Sequence, residues 1–266
     1  MKIIEFIGLP ASGKSFVLKK IKLKLNKINS NHLTYIEFLF TKDNLKNFFF
    51  IRSIYNLKKL YFYNSLNENF LKNFLKTLII NITIKLTLLS LNKKKYLLFY
   101  KSYKKLLDYS SHSPHRKKRM EIYFLFKLLS LKIYNQKQSK KNFFIIDDEG
   151  FLQSLVVKYN NFKNEKKNIF REINNFIFLC PLPDKIILID NKNMNVIKRS
   201  KQRKIGYTYY SDDKKNKLAN WREIENYIIK VIKKKKIKLI KFQNNKNYDL
   251  KVDKLVNLIK KKLQNK

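Results

Sequence analysis

Residues 8–15 read Gly-Leu-Pro-Ala-Ser-Gly-Lys-Ser, a complete match to the pattern G-x-x-x-x-G-K-[ST]. Glycines at the two ends let the chain fold back so that successive backbone N–H groups face one point. A helix beginning there adds the positive end of its dipole, which favours a bound anion. Lysine in this pattern reaches the β/γ-phosphates of a nucleoside triphosphate, and the following hydroxyl suits Mg2+. The expected seat for ATP is therefore Gly8, Ala11, Ser12, Gly13, Lys14, Ser15 and Phe16, with Ser15 also turned toward the metal.

Two further groups have the types and spacing for phosphate chemistry. Asp147, Asp148 and Glu149 are consecutive acids directly after the apolar run Phe143-Phe144-Ile145-Ile146. Three like charges at a strand end repel one another unless a cation sits beside them. A carboxylate there can hold Mg2+ or accept the proton of an attacking hydroxyl. Asp147 and Asp148 are the candidate metal ligands, and Asp148 or Glu149 is the candidate group orienting an acceptor. The second group is Lys198-Arg199-Ser200-Lys201-Gln202-Arg203-Lys204. Arg199 and Arg203 are four apart, so on a helix they share a face and could clamp a transferring phosphoryl group.

The flanking pattern says what positions these residues. Lys2 to Ile7 reads as a short buried strand, and Phe16 to Ile21 carries apolar residues at helical spacing. Further strands are expected at Leu33–Leu39, Asn142–Ile146, Pro183–Asp190 and Ile237–Phe242, with helices at 168–179, 193–204, 220–233 and 250–263. Strands alternating with helices predict an α/β fold, a parallel five-stranded sheet covered on both faces. Right-handed crossovers then gather the loops after the strands on one edge. Residues 42–141 carry no strand pattern. Leu75, Leu78, Ile79, Ile82, Leu86 and Leu89 recur at helical steps, as do residues in 96–107 and 120–134. The expected organisation is a core of 1–41 and 142–266 with a large helical insertion at 42–141, interrupted by a loop at Ser110–Arg119. Aromatic residues interleaved with lysines, as in 93–103, could stack on bases, but at helical spacing they read better as core under a lysine-covered face.

Composition narrows the classes. The chain of 266 residues has 60 Lys and Arg against 19 Asp and Glu, a formal net charge of +41. Two readings fit: a polyanionic partner (nucleic acid, an anionic membrane surface or phosphorylated substrates), or a surface driven to Lys and Asn by AT-rich coding. A single cysteine, Cys180, excludes a disulfide framework and a cysteine-based zinc site. His112 and His115 read as part of a solvated turn. No uncharged apolar run approaches the ~18 residues of a spanning helix, the nearest, Thr77–Leu91, being interrupted by Lys85. The first strand begins at the N-terminus, without a leader pattern, and the expected compartment is the cytoplasm.

The order of these parts resembles the thymidylate kinase-like branch of P-loop kinases, which includes nucleoside and nucleoside-monophosphate kinases. The resemblance is carried by Gly8–Ser15 after an N-terminal strand, the acidic motif ending a later strand, Pro-Asp-Lys-Ile-Ile-Leu-Ile-Asp at 183–190, the Arg-x-x-x-Arg segment and the terminal strand–helix pair. It covers residues 1–40 and 142–266. It implies ATP-dependent phosphoryl transfer to a small-molecule acceptor, with Lys14 and Ser15 in the phosphate loop and Arg199 and Arg203 on a mobile lid. Where that family carries Asp-Arg, this chain has Asp148-Glu149, which argues against thymidine monophosphate as acceptor. The run Asp148–Gln153 also looks like that of P-loop kinases found among bacterial surface-glycan genes, which implies a sugar or sugar-linked acceptor. A GTPase fits less well. Asp147-x-x-Gly150 matches its second motif, but Asn191-Lys192-Asn193-Met194 lacks the aspartate that reads guanine. The alternative from another class is an NTP-binding module that docks on nucleic acid or an anionic membrane face through the basic insertion.

Overall fold

Strands β1 (Ile3–Ile7), β2 (Asn31–Leu33), β3 (Phe143–Asp147), β4 (Lys185–Asp190) and β5 (Lys238–Gln243) hydrogen-bond into one sheet in a computed structural model of the chain. The structure describes residues 3–27, 31–63, 70–110, 112–136, 143–156, 165–190, 196, 214–243 and 248–264. The strand order is β2-β3-β1-β4-β5, with every neighbouring pair parallel. This is the expected five-stranded α/β sheet. The strand that feeds the glycine-bounded loop lies at its centre, buried along its whole length.

Alternation along the strands divides the core into two layers. Ile4 and Phe6 of β1, Ile146, Ile187, Ile189 and Phe242 face α1 (Lys14–Asn26) and α11 (Tyr248–Gln264), whose Val17, Leu18, Ile21, Val252, Leu255 and Val256 complete that side. Ile3 and Ile7, with Ile145, Ile186 and Leu188, face the larger layer. That layer contains α2 (Tyr35–Leu39), α3 (Lys42–Asn47), α4 (Phe49–Tyr63), α5 (Phe70–Ser90), α6 (Lys94–Asp108) and α7 (Pro114–Gln136), all between β2 and β3. It is completed by α8 (Gln153–Val156), α9 (Lys166–Leu179) and α10 (Lys214–Lys234). Aromatic rings form its centre: Tyr103 stacks on Phe124 at 3.7 Å, and Phe99 lies 4.6 Å from Phe176 and 5.3 Å from Phe151. In residues 93–103 the aromatic rings Tyr96, Phe99, Tyr100 and Tyr103 are buried, while Lys93, Lys94, Lys95 and Lys101 are exposed. These aromatics are core.

Three expectations need correction. The segment Leu33–Leu39 is not a strand: β2 stops at Leu33 and Tyr35–Leu39 is helix. Thr34 decides this, because its hydroxyl accepts from the Glu37 N–H while the Glu37 carboxylate accepts from the Thr34 N–H, a complete capping box. The loop at Ser110–Arg119 is shorter than expected, since α7 begins at Pro114. Proline suits the first helical position, where its fixed φ is right and no N–H is needed. Finally, α5 packs through Ile80, Thr83 and Thr87 rather than through its leucine stripe; Leu78, Ile82 and Leu89 are exposed. The threonine hydroxyls donate to the Ile79 and Thr83 carbonyls, so they enter the core without unpaired donors. Among the described residues no helix is long and apolar enough to cross a membrane.

Candidate functional site

The turn from β1 into α1 has the backbone shape of an anion cradle. Ala11 sits at φ 61° and Gly13, the residue capping α1, at φ 96°. Alternating handedness of this kind points neighbouring N–H groups into one concavity. Gly8 is required for a different reason: a Cβ there would lie 2.8 Å from the Ile189 carbonyl oxygen of β4. The loop is closed by Ser12 N–H donating to Leu9 O at 3.1 Å. Lys14 curls back over it, Nζ donating to Gly8 O at 2.9 Å and to Leu9 O at 3.1 Å. Ala11 and Ser12 are buried, Gly13 and Lys14 half-buried, Ser15 and Phe16 exposed. No acid lies in the first turn of α1 to offset the positive end of its dipole from within the helix.

The acidic motif divides by burial. Asp147 is buried, its Oδ2 accepting from Tyr35 N–H at 3.1 Å and its Oδ1 from Glu149 N–H at 2.8 Å. Burial raises its pKa above the ordinary carboxylate value, against the lowering pull of Lys127 and of these two N–H groups. Asp148 is half-buried and Glu149 exposed, and the Glu149 carbonyl accepts from Lys127 Nζ. Asp147 thus staples β3 to the start of α2, while Asp148 and Glu149 are left toward the rim. Among the described residues no cluster of three or more His, Cys, Asp or Glu could by itself hold a metal. Mg2+ does not need one, because it is usually held by one or two carboxylates together with substrate phosphates and water. The exposed Ser15 hydroxyl and the Asp147–Asp148 carboxylates are oxygen donors of the right chemistry. Arg199 and Arg203 lie outside the described residues.

Several groups at this edge were not singled out from the sequence. Glu5, in the middle of β1 and paired in register with Asp147, is fully buried. Its Oε1 accepts from Phe151 N–H at 3.1 Å and from Tyr35 Oη at 3.2 Å, and its Oε2 accepts from Leu152 N–H at 3.3 Å. Burial pushes its pKa up from 4.5 to about 7; the two N–H groups and Lys127 pull it down and Asp147 adds to the rise. Gln153 Oε1 accepts from the Gly8 N–H at 2.9 Å. Across the loop, Glu225 of α10 is buried with Arg222, whose guanidinium donates to it at 2.6 Å and lies 3.7 Å from Asp190. Burial raises the Glu225 pKa, Arg222 and Lys14 opposing. An acid inside the otherwise apolar Ile-Ile-Glu-Phe-Ile was the available signal for Glu5. For Gln153, Arg222 and Glu225 only the fold reveals the proximity.

The chain matches no protein-family model and no curated protein. Among solved structures it is similar to deoxyadenosine kinase from M. mycoides with bound dATP, at 15% identity over 97% of this chain and 99% of that one, TM-score 0.43. A second structure of deoxyadenosine kinase from the same organism, with products dCMP and a flexible dCDP bound, shows 14% identity over 98% of each chain and a TM-score of 0.38. The chain's own geometry is a five-stranded parallel sheet whose central strand runs into a glycine-bounded loop.

Proposed function

We propose that the chain is an ATP-dependent P-loop kinase that transfers the γ-phosphoryl group to a hydroxyl or phosphate of a small molecule of nucleoside, nucleotide or sugar type. The observation that carries this reading is the loop itself. Left-handed Ala11 and Gly13, the steric demand for glycine at 8 and Lys14 poised on the loop carbonyls form an anion seat at the central strand's end. Lys14 would leave Gly8 O and Leu9 O to meet the β/γ-phosphates, and the N–H groups of residues 11–15 would hold the triphosphate's oxygens. Ser15, with Asp147 or Asp148, would hold Mg2+, which neutralises charge on the phosphates when bound. Asp148 or Glu149 would orient the acceptor. Its oxygen bonds to the γ-phosphorus as the β,γ-bridging bond breaks, ADP leaves and any acceptor proton passes to the carboxylate. Arg199 and Arg203 would offset the charge that develops meanwhile.

The test is ADP release with Mg2+ and a panel of nucleosides, nucleotides, sugars and glycolipid precursors, with Lys14→Ala as control. Acceptor-dependent release that disappears in the variant supports the reading. Full turnover by Lys14→Ala would sink it.

One observation favours a second reading, an NTP-binding module that docks on an anionic membrane face. Leu78, Ile82, Lys85 and Leu89 form one exposed line along α5, and Lys93, Lys94 and Lys95 are exposed just beyond it. An apolar line with a cationic rim suits acidic headgroups over acyl chains.

A further inference from the structure

Glu5 is an expensive residue where it stands. Every other residue of β1 is apolar, and a carboxyl in that strand loses its hydration on folding. Its three hydrogen bonds converge on two segments: the turn at 151–152 and the first residue of α2. The turn leads directly into α8, whose first residue is Gln153. Gln153 then reaches back to β1 and takes up the Gly8 N–H, the first amide of the phosphate loop. That amide lies one residue past the end of β1, where the sheet ladder no longer supplies its acceptor. The path is closed: β1 holds the turn through Glu5, and the turn holds the exit of β1 through Gln153.

Gly150 belongs to the same device. A Cβ at 150 would fall 2.1 Å from Glu5 Cδ and 2.4 Å from Oε2, so this position must lack a side chain for the carboxylate to reach Phe151 and Leu152. On the opposite side of the loop, Ile189 O closes on Gly8. Gly8 is therefore held between β4 and Gln153, with no slack for the loop to shift sideways.

We propose that Glu5 is a positioning residue for the phosphate loop: it fixes residues 151–152 so that Gln153 can hold the Gly8 N–H, and thereby sets the height of the loop at the end of β1. Its effect on nucleotide affinity rests on the phosphate-binding reading of residues 8–15 given above; its effect on Gly8 does not. The groups facing Glu5 are Tyr35 on α2, Asp147 on β3, Lys127 on α7 and Cys180 after α9.

The sequence offers a direct probe, because it has only four glycines. In protein labelled with 15N-glycine, the Gly8 cross-peak reports the loop without nucleotide. In the wild type its amide should be protected from exchange, because Gln153 Oε1 accepts from the Gly8 N–H. Glu5→Gln keeps the size but turns an N–H toward a backbone N–H, and Gly150→Ala displaces the carboxylate with Glu5 and Gln153 both intact. Either should move the Gly8 cross-peak and speed its amide exchange by about tenfold or more, as Gln153→Ala should directly. ATP affinity should fall by about tenfold in the same three variants, and Glu5→Gln with Gln153→Ala together should be no worse than either alone. Failure of the wild type to bind ATP would count against the proposed function only. A wild-type Gly8 amide that exchanges as fast as that of an unstructured glycine overturns the inference, even if the variants do not fold. So does a folded Glu5→Gln protein that melts lower while its Gly8 signal is unchanged, since Glu5 would then be a core acid and nothing more.

Discussion

Glu5→Gln also makes a quantitative prediction about stability, independent of nucleotide. In the unfolded chain a glutamate titrates near 4.5, whereas in the folded protein burial raises Glu5 to about 7. Between these values the folded protein keeps a proton that the unfolded chain has released. The stabilising contribution is therefore complete below about pH 4.5 and is lost as pH rises through about 7. At about 1.36 kcal/mol per pH unit, that interval corresponds to about 3 kcal/mol in all, most of it falling between about pH 5 and about pH 8. Few kcal/mol separate folded from unfolded domains, so the effect is large enough to measure. Urea unfolding followed by the fluorescence of Trp221, the single and buried tryptophan, gives the readout. Over that pH range the wild type should lose about 2–3 kcal/mol relative to Glu5→Gln. The comparison uses the difference between the two proteins because Asp147 and Glu225 are also raised and contribute slopes of the same sign to both. Parallel stability profiles would refute the claim that Glu5 titrates inside the fold.

Other expectations concern the loop, the acids and the surface. Lys14→Ala should lower the rate of phosphoryl transfer by ~10³ or more, measured as ADP release, with its melting temperature close to wild type. Gly8→Ala should destabilise the protein by about 1–3 kcal/mol because its Cβ meets Ile189 O, and calorimetry with ATP titration checks both that loss and weakened binding. Asp147→Asn should cost about 1–3 kcal/mol, since one of its two backbone N–H partners loses its acceptor, while Asp148→Asn should leave stability alone and depress turnover. Thermal unfolding beside single-turnover kinetics separates the two; equal stability losses would overturn this division of roles. For the docking reading, sedimentation with acidic vesicles that persists above ~200 mM salt and is lost in Leu89→Asn supports a lipid face, whereas binding abolished by salt alone reflects unspecific charge.

Much of the architecture was legible because it rests on local pattern. The match of residues 8–15 between the strand-like run at 2–7 and a helical period specified a strand, a loop and a helix together. The runs at 142–146, 183–190 and 237–242 emerged as strands with slightly different ends for the same reason, and 96–107 and 120–134 emerged as helix. Failures occurred where pattern is ambiguous. Leu33–Leu39 alternates well enough for a strand, and a single capping threonine sends it into a helix. In α5 apolar residues lie all round, so periodicity could not choose the face, and the buried side is the one with the hydroxyls.

The division is sharpest at the site. The sequence by itself determined the glycine-bounded turn between β1 and α1, because its pattern belongs to one contiguous stretch of backbone. It also placed three acids at the end of a strand. Which of those acids turns inward was decided only by tertiary structure, through the Tyr35 N–H that arrives from a segment over a hundred residues earlier. Likewise nothing in the linear chain joins Glu5, Gln153, Gly150 and Gly8 to one another. Parallel pairing of β1 with β3 brings them together, and a carboxylate removed from water must then find donors wherever the fold supplies them.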